Sequence, residues 1–263
     1  MLIRTNRYII QILLIIIIFF TLYRWNVLLN GELSDKMLLD ESISEDNIIL
    51  PDDGKFDEVL SDEKRNKLFF AMKSIHDIFK IHGIWYVISF GTLLGAVRHW
   101  NKIPWDDDMD IIVRRSDLPK IREALKDLEE LGLRTGETWK LFKVYADDTD
   151  DLFIDIFVVD IDNNENIIRC FTRSNDKCIE LSKPNDWWHK WWGFPEEYLS
   201  QRKEYVFGDL KLWGPKTPLK LLQFWYGDNV LTECSTPIYD HHTGKYLNPV
   251  VVKCPSDYPS PQL

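Results

Sequence analysis

Gly91-Thr92-Leu93-Leu94-Gly95-Ala96-Val97-Arg98-His99-Trp100-Asn101-Lys102-Ile103-Pro104-Trp105-Asp106-Asp107-Asp108-Met109-Asp110-Ile111-Ile112-Val113 is the stretch that decides the fold. Four of its carboxylates, at positions 106, 107, 108 and 110, fall within five residues. Like charges so close repel one another, and folding gains nothing from them unless a cation offsets the repulsion. Asp108 and Asp110 stand two apart at the head of the apolar run Ile111-Ile112-Val113, which reads as a strand, so their side chains leave on one face. Such a pair can hold Mg²⁺ or Mn²⁺ through hard oxygen ligands and leave positions for phosphate oxygens. A calcium loop beginning at Asp106 fails its own template, because its sixth position is Ile111 where Gly is required and its twelfth is Asp117 rather than Glu. A solvated acidic turn is the alternative, against which stands the direct join to a buried strand.

A pair of acids at one strand end commonly completes its cage from a neighbouring strand. Asp155 is the candidate, since it interrupts the apolar run from Phe153 to Val159, where an ionised carboxylate is costly unless paired or metal-bound. Gly91 and Thr92 sit at a strand-to-helix junction, where free backbone amides and a hydroxyl suit a phosphate group. Arg98 and Lys102 are candidates to clamp phosphate charge, or else surface cations that balance the acids.

Around this stretch the chain reads as α+β, a mixed β-sheet flanked by helices. A helix begins at Ser61, with Asp62 and Glu63 in its first turn and Leu68, Phe69, Met72, Ile75, Ile78 and Phe79 at helical spacing, and Gly83 stops it. Strands are predicted over 84–89 and 108–113, and helices over 92–98 and 118–131. The runs 141–145 and 152–159, joined by an acidic turn, predict a hairpin. Beyond 160 the pattern weakens. Trp187, Trp188, Trp191 and Trp192 can share a helical face, either as core or as a wall on which sugars stack. A helix is predicted over 218–226. His241 and His242 read as a surface loop without a partner for a metal site.

The amino terminus differs in kind. Residues 8–23 are apolar except for Gln11 and Thr21, with Arg4 and Arg7 ahead of them and Arg24 after. They predict a signal anchor over 8–29, preceded by a cytosolic tail over 1–7 and followed by an acidic stem over 30–60 and a catalytic domain over 61–263. A cleaved signal peptide is the alternative, although no small-x-small pattern follows the run. The positive-inside rule then places the domain in the lumen of the secretory pathway. There, Cys170, Cys178, Cys234 and Cys254 are expected to form disulfides, with three pairings open. A net charge of −10 argues against nucleic acid as a partner.

The stretch from Gly91 to Asp110, with its Gly-Thr-Leu-Leu-Gly-Ala-Val-Arg and Ile-Pro-Trp-Asp-Asp-Asp-x-Asp, resembles the hallmark of the LicD and fukutin group of phospho-group transferases, within the nucleotidyltransferase superfamily. Asp155-Ile156-Phe157, Phe207-Gly208-Asp209-Leu210 and Tyr226-Gly227-Asp228 resemble its later elements. The resemblance implies a nucleotidyltransferase-like sheet that moves a phosphate-linked group, of phosphocholine or ribitol or glycerol phosphate type, from a CDP-activated donor to a glycan hydroxyl. Asp108, Asp110 and Asp155 would be its metal ligands and catalytic carboxylates. The acceptor would be a glycoprotein or glycolipid handled by a single-pass type II protein of the Golgi or endoplasmic reticulum membrane. Two departures stand out: Trp100-Asn101-Lys102 replaces the familiar basic-Gly-Phe lead, and no cysteine cluster suggests a zinc insert. An Asp-x-Asp glycosyltransferase and an inactive glycan-binding relative are the rival readings.

Overall fold

Ser61 opens the first helix as its sequence predicts: extended itself, it accepts a 3.3 Å hydrogen bond on its hydroxyl from the Lys64 N–H. Asp62 and Glu63 add negative charge where the helix dipole favours it. In the computed structural model, which describes residues 55–138, 141–169, 171–172, 178–179, 191–241 and 243–263, this helix is α1 (Asp62–Ile81). Its stripe of Leu68, Met72, Ile75 and Phe79 is fully buried. The predicted anchor and nearly all of the stem lie outside the described residues, as do Trp187, Trp188, Cys170 and His242. Among the described residues no helix is long and apolar enough to cross a membrane.

The central sheet follows in the order predicted. β1 (Tyr86–Ile88) leads into α2 (Phe90–His99), β2 (Met109–Arg114) into α3 (Leu118–Glu130), and β3 (Arg134–Glu137), β4 (Phe142–Tyr145) and β5 (Phe153–Ile161) complete a strand order β1-β2-β5-β4-β3. β2 and β5 run parallel; β1 joins β2, and β4 joins both β5 and β3, antiparallel. β6 (Asn166–Arg169) continues the far half of β5, the short β7 (Phe171–Thr172) and β8 (Cys178–Ile179) pair with each other, and β9 (Phe194–Pro195) joins β6. The fold is thus α+β with a mixed sheet. β3 escapes sequence reading because Arg-Thr-Gly-Glu carries no apolar alternation. It is held instead by pairing with β4, while α1 and α3 pack on each other.

After the sheet, a hairpin of β10 (Arg202–Phe207) and β11 (Leu210–Pro215) packs on β1, and α4 (Pro218–Tyr226) packs on α2. The remaining chain folds into two small ribbons, β12 (Glu233–Ser235) with β15 (Val251–Lys253) and β13 (Tyr239–Asp240) with β14 (Lys245–Tyr246). The Cys234–Cys254 disulfide closes this segment.

One sequence reading needs adjustment, and one open alternative is decided for Trp192. Phe56 and Leu60, read as the end of an acidic stem, are buried, and Phe56 meets Trp105 edge-on at 4.9 Å. The Val59 N–H also donates to the Pro104 carbonyl, so the packed domain begins ahead of Ser61. Trp191 and Trp192 lie just ahead of β9, and Trp192 is buried among Phe90, Phe157 and Phe194. That is a packing role.

Candidate metal centre

The parallel register of β2 and β5 sets Asp110 directly opposite Asp155. Asp108, two residues before Asp110, shares its face, and the three carboxylates offer oxygens all within 4.8 Å of one another. At an effective dielectric constant near 20, each pair of unit charges at that distance repels by roughly 3 kcal/mol. The proton affinities register the cost. Burial pushes Asp108 and Asp110 well above the usual carboxylate range, and neighbouring carboxylates push them further. Burial raises Asp155 too, against the pull of Lys143. Three convergent carboxylates from adjacent strands are a donor set that suits a hard divalent cation.

The backbone that carries Asp110 is held from both sides. Its N–H donates to the Thr92 hydroxyl at 2.7 Å, and its carbonyl accepts from the Ser89 N–H at 3.0 Å. Ser89 caps α2 and Thr92 lies in its first turn; between them Phe90 adopts φ +45°, a left-handed conformation that costs a non-glycine residue about 1–2 kcal/mol. The Phe90 ring offsets that strain by packing on Trp225 at 4.3 Å and edge-on to Phe157, Trp191 and Trp192.

Three cations that sequence reading did not bring there act on the cluster. Lys143 lies opposite Asp155 across the β4–β5 pairing, with Nζ 2.5 Å from Oδ1 and 3.2 Å from the centre of the Phe153 ring. Asp110, Asp155 and Lys143 therefore form one row across three strands. His241, from the β13–β14 ribbon, places Nδ1 2.9 Å from Asp107 and Nε2 3.4 Å from Asp108. This corrects the reading of His241 as a surface residue without a partner. Burial works against its charge, but the Asp107 hydrogen bond and the nearby carboxylates outweigh it and raise its pKa to about 9. Arg169 on β6 is a third cation, 4% exposed, stacked 4.7 Å over the Phe157 ring. Burial lowers its pKa to about 10 against the opposing charges of Asp155 and Asp110.

The remaining predicted binding residues are placed differently. Thr92 is 2% exposed, and its hydroxyl serves the Asp110 amide. At Gly91 an added Cβ would collide with the Asp106 carboxylate, so an acidic side chain lies at the helix start where phosphate was expected. Burial raises Asp106 to about 6. Arg98 is buried and donates to the carbonyls of Val230 and Glu233, tying α2 to the carboxy-terminal segment. Lys102 is buried as well; its ammonium donates to the carbonyls of Ile103, Pro104 and Asp106 and pairs with Glu58 at 3.1 Å, which shapes the loop that carries the acids. Neither cation joins the carboxylate cluster. Lys143 carries only a weak sequence signal, as a charge inside an apolar run, and His241 carries none, being 133 positions beyond Asp108 in the chain.

The chain is similar in sequence to known proteins. Residues 83–217, just over half the chain, match the family model described as LicD/FKTN/FKRP, nucleotidyltransferase domain. An uncharacterized protein of Rickettsia typhi (strain ATCC VR-144 / Wilmington) is 31% identical over 170 residues, covering 64% of this chain and 48% of that protein. The lipopolysaccharide cholinephosphotransferase LicD of Haemophilus influenzae (strain ATCC 51907 / DSM 11121 / KW20 / Rd) is 32% identical over 109 residues, covering 34% of this chain and 40% of that one. The chain thus spans about half the length of the curated relatives it matches. Among solved structures, the lincomycin-bound lincosamide antibiotic adenylyltransferase LnuA aligns at a TM-score of 0.33 and 16% identity, over 63% of this chain and 94% of that one, a likeness too loose to carry an argument.

Proposed function

Because the chain belongs to the LicD/FKTN/FKRP nucleotidyltransferase-domain family, we propose that it is a metal-dependent phosphotransferase. It moves a phosphate-linked group, of phosphocholine or ribitol or glycerol phosphate type, from a CDP-activated donor to a glycan hydroxyl. The observation that carries this reading is the Asp110–Asp155 register of two parallel strands, with Asp108 beside them. A divalent cation held by Asp108, Asp110 and Asp155, Mg²⁺ or Mn²⁺, would supply the positive charge that lets a diphosphate approach the acids and that stabilises the departing nucleotide phosphate.

The chain's own groups do the rest. Arg169 and Lys143 add positive charge on the β5 side of the cluster, where the transferred phosphoryl oxygens would lie. Asp155, held by Lys143, receives the proton of the acceptor hydroxyl as its oxygen bonds to phosphorus and the bond to the nucleotide phosphate breaks. Nucleoside monophosphate leaves with the electron pair of that bond.

The compartment follows from the amino terminus and the cysteines. Arg4 and Arg7 ahead of residues 8–23 support a type II anchor in the Golgi or endoplasmic reticulum membrane, with the domain luminal and the acceptor glycan on a glycoprotein or glycolipid. The Cys234–Cys254 disulfide suits that oxidising setting.

The test is incubation with a panel of nucleotide-activated donors and Mg²⁺ or Mn²⁺, scoring the nucleotide released. Cytidine monophosphate from a CDP-linked donor, lost in Asp110→Asn, is expected. Release of a nucleoside diphosphate would instead mean glycosyl transfer, and no release from folded, metal-loaded protein would mean a binding role.

A further inference from the structure

At the other end of β2 and β5 from the carboxylates lies a cavity of about 320 Å³, whose wall includes Trp85, Arg114, Arg115, Asp160 and Glu196. Ligand pockets run from roughly 300 to 1,000 Å³, so this one suits a ligand of monosaccharide size. Arg114 stands opposite Val159 as Asp110 stands opposite Asp155, four residues further along the same two strands. At about 3.3 Å per residue the two places are about 13 Å apart. Ile112 and Phe157, paired with each other and both buried, occupy the interval. The cavity is therefore distinct from the candidate metal centre.

The charges on its wall are arranged for a ligand rather than for one another. Arg115 is committed to Asp160, with Nε 2.5 Å from Oδ2. Arg114 instead lies 4.3 Å over the Trp85 ring, and among the described residues its guanidinium makes no hydrogen bond or ion pair. A guanidinium stacked on an aromatic face keeps the N–H donors at its edge for an oxyanion, in a fork that matches phosphate. Glu196 lines the same cavity, yet its carboxylate and Arg114 do not pair. One donor and one acceptor of opposite charge thus border a single ligand-sized space.

A second guanidinium sits close by. Arg202 lies 5.9 Å over the Trp85 ring and 4.6 Å over that of Trp213, and it donates to the Tyr86 carbonyl at 3.2 Å. Burial lowers its pKa, and the charge of Arg114 acts in the same direction. Two like charges about one indole are offset better by a dianion than by a monoanion. Trp85 is itself held in place, since its backbone N–H donates to the Asp117 carboxylate at 3.2 Å. We propose that the cavity binds the phosphate monoester of a small sugar, with Arg114 as the fork on the phosphate and Glu196 accepting hydrogen bonds from the sugar hydroxyls.

Isothermal titration calorimetry of the whole chain in chelator, where no metal draws phosphate to the carboxylates, tests this with glucose 6-phosphate, inorganic phosphate and glucuronate. Glucose 6-phosphate should bind more tightly than inorganic phosphate, which lacks the sugar hydroxyls, and than glucuronate, whose carboxylate carries a single charge. Arg114→Gln, shown to be folded by circular dichroism, should weaken glucose 6-phosphate by about 10-fold or more. Arg114→Lys should recover little of that loss, because an ammonium has no fork. Glu196→Ala should weaken glucose 6-phosphate while inorganic phosphate binds as tightly or more so. Should Arg114→Gln not fold, glucose 6-phosphate must shift the Trp85 indole N–H resonance in nuclear magnetic resonance spectra of the unaltered chain. No binding of glucose 6-phosphate to the unaltered chain, undiminished binding to folded Arg114→Gln, an unmoved Trp85 resonance, or glucuronate bound as tightly each overturns the site. The phosphotransferase reading stands or falls separately, on nucleotide release in the presence of metal.

Discussion

Replacing Asp155 by asparagine removes the middle charge from the row Asp110–Asp155–Lys143 at nearly constant volume. In the metal-free protein the charge effects oppose each other. Asp155 Oδ1 lies 2.5 Å from Lys143 Nζ, an attraction of roughly 7 kcal/mol at an effective dielectric constant near 20. Asp108 and Asp110, with oxygens within 4.8 Å, each repel it by roughly 3 kcal/mol or more on the same basis. These two terms roughly cancel, and the burial that disfavours the ionised form is relieved, so metal-free Asp155→Asn should be at least as stable as the parent. Metal breaks the balance. Binding to the native state alone adds about 2.7 kcal/mol at 100 times the dissociation constant, which raises the Tm of a domain this size by roughly 5–10 °C. Asp155→Asn should lose most of that rise, and nucleotide release should fall by about 10²-fold or more if Asp155 takes the acceptor proton. The assay pairs thermal melts in chelator and in Mg²⁺ or Mn²⁺ with turnover. The control is Asp160→Asn at the far end of β5, whose partly exposed pair with Arg115 contributes at most about 1 kcal/mol. A folded Asp155→Asn protein that keeps both its metal-dependent rise and its turnover would refute the assignment.

Thr92→Val keeps the shape of the side chain but strips the Asp110 N–H of its acceptor, so urea unfolding should show a loss of about 1–3 kcal/mol, together with weaker metal binding; unchanged stability would mean that the Asp110 backbone is held by other groups. In chelator, stability should fall as pH rises from 6.5 to 8.5, above the range in which the buried His76 and His99, whose pKa values are lowered, oppose the trend. Asp106, Asp108 and Asp110 have raised folded-state pKa values and so bind more protons native than unfolded above about pH 4. His241, raised to about 9, adds stability that is complete below about pH 6.5 and lost as pH rises through 9. Urea midpoints at three pH values check this, and a midpoint that climbs with pH would contradict it; saturating Mg²⁺ should flatten or reverse the trend. Replacing Cys234 and Cys254 together by serine should cost about 3 kcal/mol for a loop of this length, seen as a lower Tm that reductant no longer changes.

Local chemistry made much of this protein legible in its sequence. The Ser61 cap, the acidic first turn and the apolar stripe from Leu68 to Phe79 determine α1, because a helix is coded by neighbours three and four residues apart. Asp108 and Asp110 share a face because strand geometry repeats every two residues, and Asp155 stands out as a charge in an apolar run. What the local pattern does not carry is which strand lies beside which, and in what register. The parallel pairing that sets Asp110 against Asp155, and the antiparallel one that sets Lys143 against Asp155, arise only when the sheet assembles, since a slip of one residue would turn each side chain to the other face. Arg98 and Lys102 read as phosphate clamps by proximity to the acids in sequence, yet packing turns both to backbone carbonyls, because a buried cation must find acceptors wherever the fold provides them. His241 lies furthest from prediction: its approach to Asp107 and Asp108 depends on the return path of a disulfide-closed segment, a long-range closure to which no periodicity in the sequence corresponds.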